Sequence, residues 1–287
     1  MRVMAKSSSV ALLVVLLYFR MVVGYRPVLL MHGIADNYKS MEGMVTFIKD
    51  AHPGTPVYNI DAFNDADSFL KMWDQVDGVQ KKISPIISNA TDGVNLICYS
   101  QGGMVCRGFI EAFPDHNVKS FISLSSPQAG QFGDTDYLDF FLPNFTRDNV
   151  YRFCFSEVGQ YVSFCDYWND PLHQSEYEKC SDFLYPLNSG KQPDYKSNFM
   201  TVEELVLIGG PDDGVITPWQ SSHFGFYDDK LDVQPYQSQG FYISDAFGLK
   251  TLDEEGRIHV YNISGVEHTH WHTNKTVFDL CIEPWLK

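Results

Sequence analysis

Six short apolar runs, each cut off by a turn, constrain this chain more than any other feature. They are PVLLM (Pro27 to Met31), PVYNID (Pro56 to Asp61), GVNLICY (Gly93 to Tyr99), VKSFISLSS (Val118 to Ser126), ELVLIGG (Glu204 to Gly210) and RIHVYNI (Arg257 to Ile263). Runs apolar on both faces fit strands covered on each side. Segments with helical spacing lie between the first of them. Tyr38 to His52 carries Met41, Met44, Val45 and Ile48, and Asp67 to Ser88 carries Phe69, Leu70, Trp73, Val76, Val79 and Ile83. A third helix is expected from just after Ser100 to near Pro114, and a closing helix near Asn274 to Cys281. Strands alternating with helices predict an α/β fold, a mostly parallel, doubly wound sheet of the α/β-hydrolase kind. The alternation stops at Pro127 and resumes at Glu204. The aromatic, turn-rich stretch at about 128–200 is expected to be an irregular or helical insertion over the carboxyl edge of the sheet. Residues 25–287 are then one domain.

The N-terminus points to a compartment. Arg2 and Lys6 precede the apolar run Val10 to Phe19, and the small residue Gly24 follows. A basic start, a short apolar core and a small residue predict a signal peptide over residues 1–24. Arg20 interrupts the apolar run, and no later stretch is apolar enough to span a membrane. Four sequons, at Asn89, Asn144, Asn262 and Asn274, then predict a glycoprotein. Six cysteines in an oxidising compartment favour disulfides over metal thiolates, and no C-x-x-C pair is present. The net charge of -15 argues against nucleic acid as a partner.

The stretch LICYSQGG (Leu96 to Gly103) carries the chemistry. Ser100 sits where a buried strand turns sharply into a helix. Glycine two residues later lets the helix pack close, and the helix N-terminus offers free N–H groups to an anion. This is a nucleophile elbow, G-x-S-x-G, with Cys98 in place of its first glycine. The fold presents nucleophile, acid and histidine in that order along the chain. PDDGVI (Pro211 to Ile216) follows the strand LVLIG, so the acid is Asp212 or Asp213; Asp213 lies further into the loop. GVEHTHWH (Gly265 to His272) follows the last strand, so the base is His268, His270 or His272. His268 lies closest to the strand end. The H-x-H spacing is also a metal pattern, but no acid or cysteine is suitably interleaved, so no metal or other cofactor is expected. Two N–H groups are needed for a developing oxyanion: the backbone of Gln101 and, from the loop after the first strand, that of Ile34.

Five segments carry a resemblance: MHGIADN, ICYSQGG, SLSSPQ, GGPDDGVITPWQSS and the final CIEPWL. They resemble the palmitoyl-protein thioesterases, the type 2 lysosomal members above all, over nearly all of residues 25–287. The resemblance implies an α/β-hydrolase that cleaves fatty acyl thioesters in the lysosome, with Ser100 as nucleophile, Asp213 as acid and His268 as base. It places the oxyanion donors on Ile34 and Gln101. It also implies disulfides Cys98–Cys106, strapping the elbow, and Cys154–Cys165, inside the insertion. Cys180 and Cys281 are left over; a bridge between them is possible by count.

The expected reaction is acyl transfer to Ser100 followed by hydrolysis, with the aromatic insertion lining a groove for the acyl chain. An ordinary histidine titrates near ~6.5, so activity should rise from acid toward neutral pH. Two alternatives remain: a lipase or carboxylesterase of the same fold, and a lipid-binding protein without turnover.

Overall fold

Leu96 and Cys98 face one way from their strand and Ile97 and Tyr99 the other, yet all four are buried. Such a strand needs cover on both sides, and the fold supplies it. In the computed structural model, which describes residues 25–135, 143 and 145–287, six strands form one sheet. They are β1 (Val28–Met31), β2 (Val57–Asn59), β3 (Val94–Tyr99), β4 (Val118–Leu124), β5 (Glu204–Gly209) and β8 (Ile258–Asn262). Their order is β2-β1-β3-β4-β5-β8, and every pair is parallel.

One face packs on α2 (Met72–Asn89) and α3 (Gln101–Ala112), through Met72, Val76, Val79, Ile83, Met104 and Phe109. The other packs on α1 (Glu42–Ala51) and the C-terminal segment, through Met44, Ile48, Trp271, Phe278 and Ile282. The sheet is therefore doubly wound, as the six apolar runs predict.

Two expected helices are interrupted. The first opens with a 3-10 turn at Tyr38–Met41, capped by the Asn37 side chain, before α1 begins. The second is a 3-10 turn at Asp65–Phe69 followed by α2. Leu70 between them is extended, and the Gln75 amide donates to the carbonyls of Ser68 and Leu70 across the break. The closing helix is one short turn, Lys275–Val277, running into a wider π-type turn at Phe278–Ile282.

Among the described residues, the stretch after Pro127 holds five short helices: α4 (Tyr151–Cys154), α5 (Ser163–Asp166), α6 (Gln174–Cys180), α7 (Leu184–Ser189) and α8 (Tyr195–Phe199). They pack partly on the sheet's α2–α3 face and partly around Phe132, Trp168 and Phe226 of a small cluster of their own. Phe226 belongs to a two-stranded hairpin, β6 (Phe226–Tyr227) with β7 (Val233–Gln234).

Cys98 is bonded to Cys106, so the end of β3 is tied to the second turn of α3; Cys154 is bonded to Cys165, tying α4 to α5. The possible Cys180–Cys281 bridge is corrected: both thiols are free. Cys281 is buried in the cluster on the α1 face, whereas Cys180 ends α6, whose Tyr177 packs in the cluster on the opposite face. The sheet lies between them, and an even count of cysteines carries no information about sides.

Of the sequon residues, Asn89 and Asn262 are exposed. Asn274 accepts the N–H groups of Thr276 and Val277 as a helix cap. Asn144 and residues 1–24, with the expected signal peptide, lie outside the described residues. Among the described residues no helix is long and apolar enough to cross a membrane.

Candidate active site

Ser100 stands between β3 and α3 with φ 53° and ψ -130°. An L-residue adopts that conformation only when the surroundings impose it. Here the neighbours do. Its N–H bonds the carbonyl of Leu124 on β4 at 3.0 Å, and the Cys98–Cys106 bridge holds the same turn. The helix can begin at once because Gly102 and Gly103 have no side chains. A Cβ on Gly102 would come within 2.3 Å of the carbonyl oxygen of His32, and one on Gly103 within 2.3 Å of Ser126 Oγ. A Cβ on Gly33 would come within 2.9 Å of Ser100 Cβ, so the loop after β1 also needs a glycine to pass the serine.

The three side chains expected to meet do meet. Ser100 Oγ lies 2.9 Å from His268 Nε2. His268 Nδ1 lies 2.9 Å and 3.1 Å from the two carboxylate oxygens of Asp213. An ionised carboxylate can only accept, so Nδ1 carries the hydrogen and Nε2 is left to accept from the serine hydroxyl. All three residues are buried.

Each comes from the carboxyl end of a strand: Ser100 from β3, Asp213 from the turn after β5, His268 from the segment after β8. The two loops are joined directly, since the His268 N–H donates to the Asp213 carbonyl at 2.8 Å. The Tyr99 hydroxyl donates to the His268 carbonyl at 2.8 Å.

Burial works against a charge on Asp213. Hydrogen bonds from His268, Ser125 and the Ile216 N–H outweigh it and hold the carboxyl below its ordinary value. Asp212 points away from the cluster and accepts the Gly265 N–H at 2.7 Å, a turn-forming role.

Gln101 is the first residue of α3, where an N–H has no partner inside the helix. Its side chain is fixed by the carbonyl of Ser68 at 2.7 Å and by the hydroxyl of Tyr167, which donates to it at 3.1 Å. Among the described residues no acceptor occupies the N–H of Ile34 or of Gln101. Ile34 and Ser100 both border an apolar cleft, whose other wall is Phe164, Tyr167 and Trp168 of the insertion with Val215 and Ile216. A more polar recess also borders Ile34 and Ser100, lined further by Asp36, Ser40, Thr269 and His272. Among the described residues no cluster of His, Cys, Asp or Glu is arranged to hold a metal.

Of the other two candidate histidines, His270 is exposed and faces Glu267 at 3.6 Å. His272 is buried, its ring 4.6 Å from that of Tyr99, and burial lowers its pKa below the ordinary imidazole value. It also borders the recess, a place that only its position four residues after His268 signals in the sequence. Ser125 and Trp271, which both reach Asp213, were missed. SLSS reads as the end of a strand, and the histidines draw attention in GVEHTHWH.

Comparison with known proteins shows the family of the chain. A family model described as palmitoyl protein thioesterase matches residues 27–268. The chain is 49% identical over 266 residues to lysosomal thioesterase PPT2 of Rattus norvegicus, covering 91% of this chain and 88% of that one. It is 42% identical to the lysosomal thioesterase PPT2 homolog of Drosophila melanogaster, covering 91% and 92%. Among solved structures, the lipase BlEst2 of Bacillus licheniformis in its mature form aligns with a TM-score of 0.51 at 14% identity, over 92% of this chain and 93% of that one, which speaks to the α/β-hydrolase fold alone.

Proposed function

The chain belongs to the palmitoyl protein thioesterase family, and from that premise we propose that it hydrolyses fatty acyl thioesters by way of an acyl-Ser100 intermediate. One observation carries the reading: the Ser100–His268–Asp213 relay lies at the end of an apolar cleft walled by the insertion.

The acyl chain lies in the cleft and the thioester carbonyl beside Ser100. His268 Nε2 takes the hydroxyl proton while the oxygen attacks, and Asp213 holds the imidazole in that tautomer and balances its charge. The oxyanion sits between the N–H groups of Ile34 and Gln101. The thiol leaves on the side of the polar recess. Thiols have a pKa of about 8.5, so the sulfur needs little help from the imidazolium to depart. Water then repeats the sequence on the acyl-serine. No cofactor takes part in these steps.

Residues 1–24 are read as the signal peptide of a chain that travels the secretory pathway to the lysosome. Asn89, Asn144, Asn262 and Asn274 are its glycan acceptors, and residues 25–287 form one domain with an insertion at about 128–200.

The test is hydrolysis of palmitoyl-CoA and of an S-palmitoyl thiol beside the matching oxygen ester, for the protein and for Ser100→Ala. Thioester turnover that vanishes in the variant while its melting temperature is kept supports the proposal. Turnover in Ser100→Ala equal to the parent's refutes it. A preference for the oxygen ester assigns the site to a carboxylesterase or lipase instead.

A further inference from the structure

Asp213 Oδ2 is crowded with donors. Besides the His268 imidazole it accepts the Ser125 hydroxyl at 2.5 Å and the Trp271 indole N–H at 2.6 Å, both shorter than its contact with His268. Oδ1 accepts the N–H groups of Ile216 at 2.7 Å and Val215 at 3.1 Å.

Both side-chain donors are fully buried. Ser125 sits at the end of β4 with φ 45°, a left-handed conformation that favours glycine, and its N–H is held by the Ile208 carbonyl at 2.7 Å. That backbone aims the hydroxyl at Asp213, and the same oxygen passes 3.4 Å from His268 Nδ1. Trp271 is wedged in the cluster on the α1 face.

We infer that Ser125 and Trp271 are positioning residues that keep the Asp213–His268 pair free of an extra proton in acid, so that the imidazole stays a base where the proposed lysosomal reaction runs. The inference rests on the function proposed above. Hydrogen bonds that disperse the charge on Oδ2 weaken the affinity of that carboxylate for a proton. They also weaken its hold on a protonated imidazole. Both effects oppose the uptake of a proton by the pair.

The other groups around the pair pull less directly. Tyr99 of β3 lies against the His268 ring at 5.2 Å, with its hydroxyl committed to the His268 carbonyl. His272 lies behind Tyr99, and Asp36 of the loop after β1 faces His272. Asp212 is tied to Gly265, while Glu267 and His270 are in solvent.

The experiment is the pH dependence of kcat/KM for palmitoyl-CoA between pH 4 and 8, with the rate of serine modification by a fluorophosphonate as a second readout. Protein, Ser125→Ala and Trp271→Phe are compared, with Ser100→Ala as background. Loss of either donor is expected to move the midpoint of the acid limb up by about one pH unit, whatever its effect on the neutral plateau. A merely structural role lowers the rate equally at every pH and leaves the midpoint in place; that result, in whichever of the two variants folds, overturns the inference. Turnover retained in Ser100→Ala removes the reading beneath it, whereas turnover lost there with unshifted limbs in the other two removes this inference alone.

Discussion

The carboxylate of Asp166, in α5 of the insertion, accepts the N–H of Met72, the first residue of α2, at 2.7 Å. Its other oxygen has no partner among the described residues. Burial pushes its pKa from 3.8 up to about 7, against the pull of the Met72 N–H and Lys71. The folded protein thus holds a proton that the unfolded chain releases. That contribution to stability is complete below about pH 4 and fades as pH rises through about 7. The melting temperature should therefore fall between pH 5 and 8. In Asp166→Asn the fall should be smaller by roughly 3–6 °C, leaving the share of Glu111, whose burial also raises it to about 7 against Arg107. Calorimetry across that range decides, and identical slopes in the two proteins would contradict the account.

Gly102 stands too close to the His32 carbonyl for any side chain. Gly102→Ala must push α3 away from β1 or move the loop that carries Ile34. Thioesterase activity should drop at least about a hundredfold, a cost of ~2.7 kcal/mol in the transition state. An alanine variant with near-parental kcat/KM would show that the elbow tolerates the shift.

The Cys98–Cys106 bridge closes a short loop around the nucleophile. In the chain-entropy description, a loop of that length adds about 2.5 kcal/mol. Reduction, or Cys98→Ala with Cys106→Ala, should lower the melting temperature and depress activity before global unfolding, because the strained Ser100 loses a restraint. Fluorophosphonate labelling against denaturant, with and without reductant, reads this directly. Coincident loss of labelling and of helix signal in both forms would rule out a local effect.

Phe164 lines the cleft from the insertion. Phe164→Ala removes apolar wall from the acyl chain, not from the carbonyl. The kcat/KM for a palmitoyl thioester should fall about tenfold, that for an acetyl thioester by less than about twofold. Equal losses for the two substrates would move the acyl site elsewhere.

The sheet was readable because its inner strands are buried on both faces, so PVLLM, GVNLICY and ELVLIG stand out as unbroken apolar runs. The break at Leu70 was hidden because Phe69, Leu70 and Trp73 keep helical spacing across it, while the interruption depends on a side-chain amide from Gln75. The hairpin at Phe226 and Val233 has strands of two residues, too short for any period to register. Ser100, Asp213 and His268 could be found because the fold fixes their order along the chain. Ser125 could not, since its role depends on a backbone angle at the end of β4 that no local pattern in SLSS announces.

The relay draws its members from positions 100, 213 and 268, spread over three separate strand ends. The base lies beyond β8, the edge strand that pairs last along the sequence. A growing polypeptide on the ribosome therefore leaves Ser100 without its imidazole partner until position 268 has been made and β8 has docked. The serine and the imidazole that faces it are joined only after β8 has completed the edge of the sheet.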